Sequence, residues 1–205
     1  MRHARPEIAP GLCYGRLDMP AQAADNQAAA AALARALPRR LAGMRHSPLQ
    51  RCELLAMALC GLRPDLASKP EPRIAELDFG RWEGQPWSAL PRAELDAWAQ
   101  QLYHYAPGGG EPLSAMLARV AAALQAAQQQ AWGAGGDVVW LTHAGVARCV
   151  AWLLQQRPGA IPQAADWTLP APDYGGWLCL PLPRSADPAF TAGAGPGTPA
   201  TAQSA

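Results

Sequence analysis

His143 closes the run Val138-Val139-Trp140-Leu141-Thr142-His143-Ala144-Gly145, where a continuous apolar stretch ends in a histidine followed by two small residues. The pattern predicts a strand buried on both faces that passes directly into a helix. Beyond the carboxyl end of such a strand, a helix N-terminus offers free N–H groups to an anion. His143 would therefore stand where a phosphate is expected; the alternative is a histidine satisfied by hydrogen bonds at a strand end. Arg2 and His3 form a second candidate, because an arginine beside a histidine is an anion clamp next to a nucleophile or base. By itself, a histidine at position 3 more often belongs to a frayed terminus. The stretch Glu76-Leu77-Asp78-Phe79-Gly80-Arg81-Trp82-Glu83-Gly84 sets three carboxylates among aromatics and glycines. Apolar neighbours raise a carboxyl pKa, as a general acid near neutral pH requires. Arg51 alone reads as a surface arginine. The four histidines form no HxxxH or HxH pair, which argues against a zinc site.

The elements that must position these residues follow from periodicity and punctuation. Residues 21–37 are Ala-rich without internal Pro or Gly and read as a helix that Pro38 ends. Ser47-Pro48 is a helix start, cap then first-turn proline, leading into residues 49–62. Residues 93–105 and 113–132 read as helices separated by the turn Pro107-Gly108-Gly109-Gly110. In the second, Leu113, Met116, Leu117, Val120 and Leu124 recur at helical spacing. Residues 138–141 are the buried strand, 145–156 a helix, and 177–182 a second strand. Helices alternating with short buried strands imply an α/β sheet covered on both faces.

Composition bounds the rest. A 205-residue chain that is half hydrophobic can bury one domain's core. Seventeen basic against sixteen acidic residues, net +1, leave no electrostatic footprint for nucleic acid or an anionic membrane. No apolar stretch approaches the roughly 20 residues of a membrane helix. The cysteines, Cys13, Cys52, Cys60, Cys149 and Cys179, are odd in number and without a CxxC pair, as expected of reduced thiols in a cytoplasmic protein. From about Arg184 the sequence turns to Ala, Gly, Pro, Thr and Ser, so residues 1–184 are expected as the domain and 185–205 as a disordered tail.

Taken together, the candidates fall into an order. Arg2-His3-Ala4, then Ser47-Pro48-Leu49-Gln50-Arg51-Cys52, then residues 76–84, then 107–111, then Thr142-His143-Ala144-Gly145 resemble the successive motifs of the histidine phosphatase superfamily, the phosphoglycerate mutase-like fold. The resemblance spans residues 1 to about 182. The stretch Gly11-Leu12-Cys13-Tyr14-Gly15-Arg16-Leu17-Asp18-Met19-Pro20 is similar to the substrate-side loop of the alpha-ribazole phosphatase branch.

The resemblance implies a three-layer α/β/α fold with a mostly parallel central sheet. It implies His3 as nucleophile, Arg2, Arg51 and His143 as the phosphoryl pocket, and Glu76 as proton donor. Glu83 would be a supporting carboxylate and the fallback donor. Tyr14, Gly15, Arg16 and Ala144 would line the substrate side with Glu83. No metal and no cofactor are implied; the partner is a small phosphomonoester, and the chain is a monomer or homodimer. Trp82, Trp87, Trp98 and Tyr103 could stack on an aromatic leaving group, or form a core beneath a helical cap.

Three small departures accompany the match: Ala4 for a glycine, and His46 and Pro112 where serines are usual. A larger one is that family members carry a hydrophobic strand before the Arg-His pair, whereas this sequence opens on Met1-Arg2-His3. Either the true start lies upstream, the expectation favoured here, or the sheet exposes unpaired edges. The expected activity is metal-independent phosphomonoester hydrolysis, with alpha-ribazole 5′-phosphate as substrate. The rivals are a broad-specificity sugar or nucleotide monophosphatase, a phosphoglycerate mutase, and a catalytically disabled phospho-ligand binder.

Overall fold

The computed structural model describes residues 1–155 and 160–182. In chain order the main elements are α1 (Ala23–Ala36), β1 (Gly43–His46), α2 (Gln50–Leu62), β2 (Ser68–Pro70), α3 (Arg92–Gln100), α4 (Leu113–Ala134), β3 (Val138–Leu141) and α5 (Ala144–Gln155). The strands form one parallel sheet in the order β2-β1-β3, with Met44 opposite Ser68 on one side and Val139 on the other. Parallel strands need crossovers, and α2 and the long stretch containing α3 and α4 supply them.

Alternation along β3 divides the molecule into two cores. Val139 and Leu141 pack with Met44, Ala30 and Leu33 of α1, and Leu55 and Leu59 of α2. Trp140 points the other way, into Met116, Val120 and Leu124 of α4 and Val146 and Val150 of α5. The sheet is thus covered on both faces, as expected.

Several boundaries differ from the sequence reading. β1 and β2 were not expected: β1 has four residues, two of them Arg45 and His46, and β2 is the three-residue edge Ser-Lys-Pro. A proline cannot donate to a ladder, so it sits at the end of an edge strand. The helix expected over 93–105 stops at Gln100. The helix after Ser47-Pro48 begins at Gln50 without a cap from Ser47. Asp18, from a distant loop, accepts from the Gln50 N–H at 2.8 Å and from Nε2 at 3.0 Å in its place.

Residues 1–3 lie beside the end of β3. His3 N–H donates to Thr142 O at 2.9 Å and Thr142 N–H to Met1 O at 2.8 Å. On the other flank Arg2 N–H donates to Gly176 O, and Gly175 N–H to His3 O, both at 3.0 Å. The strand expected over 177–182 is not formed. Among the described residues, 177–182 make no backbone hydrogen bond to a strand. Trp177, Leu178 and Leu180 remain 38%, 43% and 40% exposed. The tail expected over 185–205 lies outside the described residues.

Candidate active site

His3, Arg51 and His143 converge at the carboxyl end of the sheet. The backbone bonds on both flanks of residues 1–3 hold His3 in place, and its ring is 5.1 Å from that of His143, edge-on. His3 is 2% exposed; Arg51 and His143 are fully buried. His3 Nδ1 lies 2.7 Å from the Ala4 carbonyl oxygen. A carbonyl only accepts, so Nδ1 carries the proton and Nε2 keeps its lone pair. Burial, with the nearby Arg51 and Arg2 charges, pulls the His3 pKa from 6.5 to about 3, so the ring is neutral near pH 7. His143 is also held well below the ordinary histidine range, by burial first and Arg51 second. Its Nε2 lies 2.8 Å from the Ser47 hydroxyl.

Arg51 enters from the first turn of α2. It donates to Gly15 O at 2.5 Å and Leu17 O at 3.0 Å. A Cβ on Gly15 would overlap the Leu77 carbonyl, so glycine is what lets this loop reach the guanidinium. Arg2 donates to Pro172 O at 3.2 Å. Among the described residues neither Arg2 nor Arg51 has a salt-bridge partner. Arg2 Nε, Arg51 Nε and His143 Nδ1 are buried there without any hydrogen-bond partner. A buried, uncompensated cation is costly to a fold, and unpaired nitrogens on these three neighbouring side chains are free to donate to an anion.

Glu76 Oε2 accepts from the Gly145 N–H at 3.1 Å, two residues past His143 at the start of α5. The Glu76 segment is held from behind by Arg119 of α4, which donates to the carbonyls of Arg73 at 2.8 Å, Ala75 at 2.6 Å and Glu76 at 3.2 Å. Glu111 balances that guanidinium with two contacts of 2.7 Å. Sequence reasoning did not find this pair; its only signal was the acid ending the glycine-rich turn.

Glu83 accepts from the backbone N–H groups of Arg16 at 2.7 Å and Phe79 at 3.0 Å, and also from that of Leu17. It therefore ties the 14–18 loop to the 79–84 turn, a supporting position. The Arg16 side chain is exposed, and Ala144 is the first residue of α5, half-buried beside His143. Trp82, Trp87 and Trp98 pack on one another and on Phe79, with Trp87 and Trp98 stacked at 6.2 Å. That makes them a small core of their own, with Cys13, Leu90 and Tyr105. Tyr103 packs against the α4–α5 core instead. Ser47 and Tyr174 join the site without having been singled out: Ser47 was read as a helix cap, and Tyr174 lies in a segment without a motif.

A cleft of about 1150 Å³ lined by Arg39, Arg40, Gly43 and Arg63 opens at the opposite end of β1 and holds none of these residues. Arg63 there is engaged with Asp65 and with carbonyls following α1. Among the described residues no three His, Cys, Asp or Glu are grouped to hold a metal, and no helix is long and apolar enough to cross a membrane.

The model of the histidine phosphatase superfamily (branch 1) matches residues 1–171, and this chain belongs to that family. A phosphoglycerate mutase from Thermus thermophilus shares 28% identity at a TM-score of 0.57, covering 80% of this chain and 87% of that one. A mycobacterial hydrolase shares 25% identity at a TM-score of 0.64, covering 86% and 81%. A mycobacterial glucosyl-3-phosphoglycerate phosphatase has the same fold, with a TM-score of 0.65 at 24% identity over 84% of each chain. No curated protein matches.

Proposed function

We propose that this chain is a phosphomonoester hydrolase working through a phosphohistidine on His3, without a metal. The observation that carries this is a fully buried Arg51 guanidinium and a half-buried Arg2 guanidinium, neither with a salt-bridge partner among the described residues, beside a neutral imidazole whose Nε2 lone pair is free. Membership of the superfamily and the likeness to a hydrolase and a mutase support it.

Phosphoryl transfer needs charge neutralised on the equatorial oxygens and a nucleophile in line with the leaving oxygen. Arg2 and Arg51 supply the charge. If the Ser47 hydroxyl donates to His143 Nε2, the proton of His143 sits on the unpartnered Nδ1 and is offered to a phosphoryl oxygen. His3 Nε2 attacks phosphorus, and the bond from phosphorus to the alcohol oxygen breaks as protonated Glu76 gives that oxygen its proton. Glu76, now a carboxylate, takes a proton from water; the hydroxide attacks phosphorus, the N–P bond breaks, and orthophosphate leaves. The finer reading, alpha-ribazole 5′-phosphate as substrate, rests on the loop from Gly11 to Pro20. A mutase differs in passing the phosphoryl group to a second hydroxyl instead of water.

The test is phosphate release in the presence of EDTA, with alpha-ribazole 5′-phosphate, p-nitrophenyl phosphate, AMP and 3-phosphoglycerate compared for wild type and His3→Ala. Release that depends on His3 is expected, strongest with the ribazole ester. Full activity in His3→Ala sinks the mechanism. Even rates leave a generalist, and phosphoryl transfer between positions of 3-phosphoglycerate points to the mutase.

A further inference from the structure

Tyr174 belongs to none of the family motifs, yet it meets the site on two sides. Its ring lies against the Arg2 guanidinium, 3.8 Å from Cζ to centroid, and 5.6 Å from the His3 ring. Its hydroxyl is 2.6 Å from that of Tyr14. Tyr14 in turn faces Arg51, with Cζ 5.5 Å from its ring centroid. Arg2, Tyr174, Tyr14 and Arg51 thus form a continuous arc beside His3. Tyr174 is 41% exposed, so the arc presents its phenols where the site opens to solvent. Burial and the Tyr174 hydroxyl hold the Tyr14 phenol above its ordinary range, so it stays O–H at neutral pH.

We propose that Tyr174 is a specificity-determining residue that acts with Tyr14, their paired hydroxyls binding a hydroxyl-bearing alcohol half of the substrate; this rests on the phosphomonoesterase reading above. The arginines and histidines recognise only the phosphoryl group, which every monoester shares. The tyrosine pair uses one of its two hydroxyl protons on itself and keeps the other, with lone pairs to spare. A sugar phosphate can replace that mutual bond with its own hydroxyls, whereas a nitrophenyl group brings none. Two rigid rings with few torsions lose little entropy in doing so.

The experiment measures kcat and KM for ribose 5-phosphate and p-nitrophenyl phosphate with wild type, Tyr14→Phe and Tyr174→Phe. Phe keeps each ring on its arginine and removes only the hydroxyl. Either variant is expected to lower kcat/KM on ribose 5-phosphate by about five- to tenfold relative to the aryl ester, the loss of one neutral hydrogen bond, and mainly through KM. An unchanged ratio overturns the proposal, whether both rates fall or neither does. If wild type turns over neither ester, the phosphomonoesterase reading is decided separately, with alpha-ribazole 5′-phosphate. Calorimetric titration then decides: weaker binding of ribose 5-phosphate by Tyr174→Phe, with inorganic phosphate unaffected, sustains the proposal. Parallel changes, or no binding of either ligand by wild type, overturn it.

Discussion

Gly145 donates its backbone N–H to Glu76 at 3.1 Å, and a Cβ on Gly145 would overlap Oε1 of that same carboxylate. The proposed proton donor is therefore seated on a helix start by a glycine chosen for what it lacks. Gly145→Ala should push Glu76 out of place while the helix tolerates, and even prefers, alanine by up to about 1 kcal/mol. A displaced general acid costs about 10²-fold in kcat/KM, which reports formation of the phosphohistidine and not its hydrolysis. The loss should be larger for an alkyl phosphate than for p-nitrophenyl phosphate, whose phenolate leaves without a proton. Equal losses on the two esters would mean that Glu76 does not protonate the leaving group.

Arg51 tests the anion site independently of turnover. Orthophosphate at about one hundred times its Kd adds about 2.7 kcal/mol to the wild type, because only the folded state binds it. Arg51→Met removes the buried charge and should abolish that gain. The measurement is a pair of thermal melts, in phosphate and in chloride at equal ionic strength. A phosphate-dependent rise in Tm that survives in Arg51→Met would place the anion elsewhere.

Arg119 should act on Glu76 through the backbone. Its planar fork reaches three carbonyls and Glu111 at once, which a lysine, a point charge on a flexible stem, cannot do. Arg119→Lys is expected to cost about 2 kcal/mol in denaturant unfolding. It should also lower kcat/KM with the same alkyl-over-aryl bias as Gly145→Ala. A stability loss without that bias would leave Arg119 a brace and nothing more.

How much of this was legible varies with how local the cause is. The β3–His143–α5 unit could be read because an apolar run, a polar end and small residues are all contained in eight consecutive positions. Arg51 could be placed on a helix but not in a pocket, since its partners Gly15 and Leu17 lie in another loop. His3 carried no local signal of order: its placement depends on backbone bonds to Thr142 and Gly175, far along the chain. β1 escaped notice because half of it is Arg45 and His46; the His46 ring is 2.7 Å from the Ser68 hydroxyl, a link to β2 that no pattern within β1 announces. The same holds for Ser47, whose sequence context signals a helix cap while its hydroxyl meets His143.

The buried histidines also set how stability depends on pH. His3 titrates at about 3 in the folded protein against 6.5 in an unfolded chain, because burial and the two arginines disfavour its charged form. Between those values the unfolded chain binds the extra proton, so stability is complete above pH 6.5 and is lost as pH falls, by up to about 1.4 kcal/mol per unit. His143 is shifted in the same direction and adds to the slope. Carboxylates such as Glu71, held low chiefly by Arg73, also weaken the fold in acid, so the histidine part must be isolated by difference. Unfolding free energies of wild type and His3→Asn are to be compared at about pH 6.5 and about pH 5. The wild type should lose about 2 kcal/mol more than the variant across that interval. Saturating phosphate should shrink the difference, because a bound anion offsets the arginines and lets His3 titrate nearer its ordinary value. Identical acid profiles for the two proteins would show that His3 is not buried as a neutral ring, and the nucleophile would then need a different account.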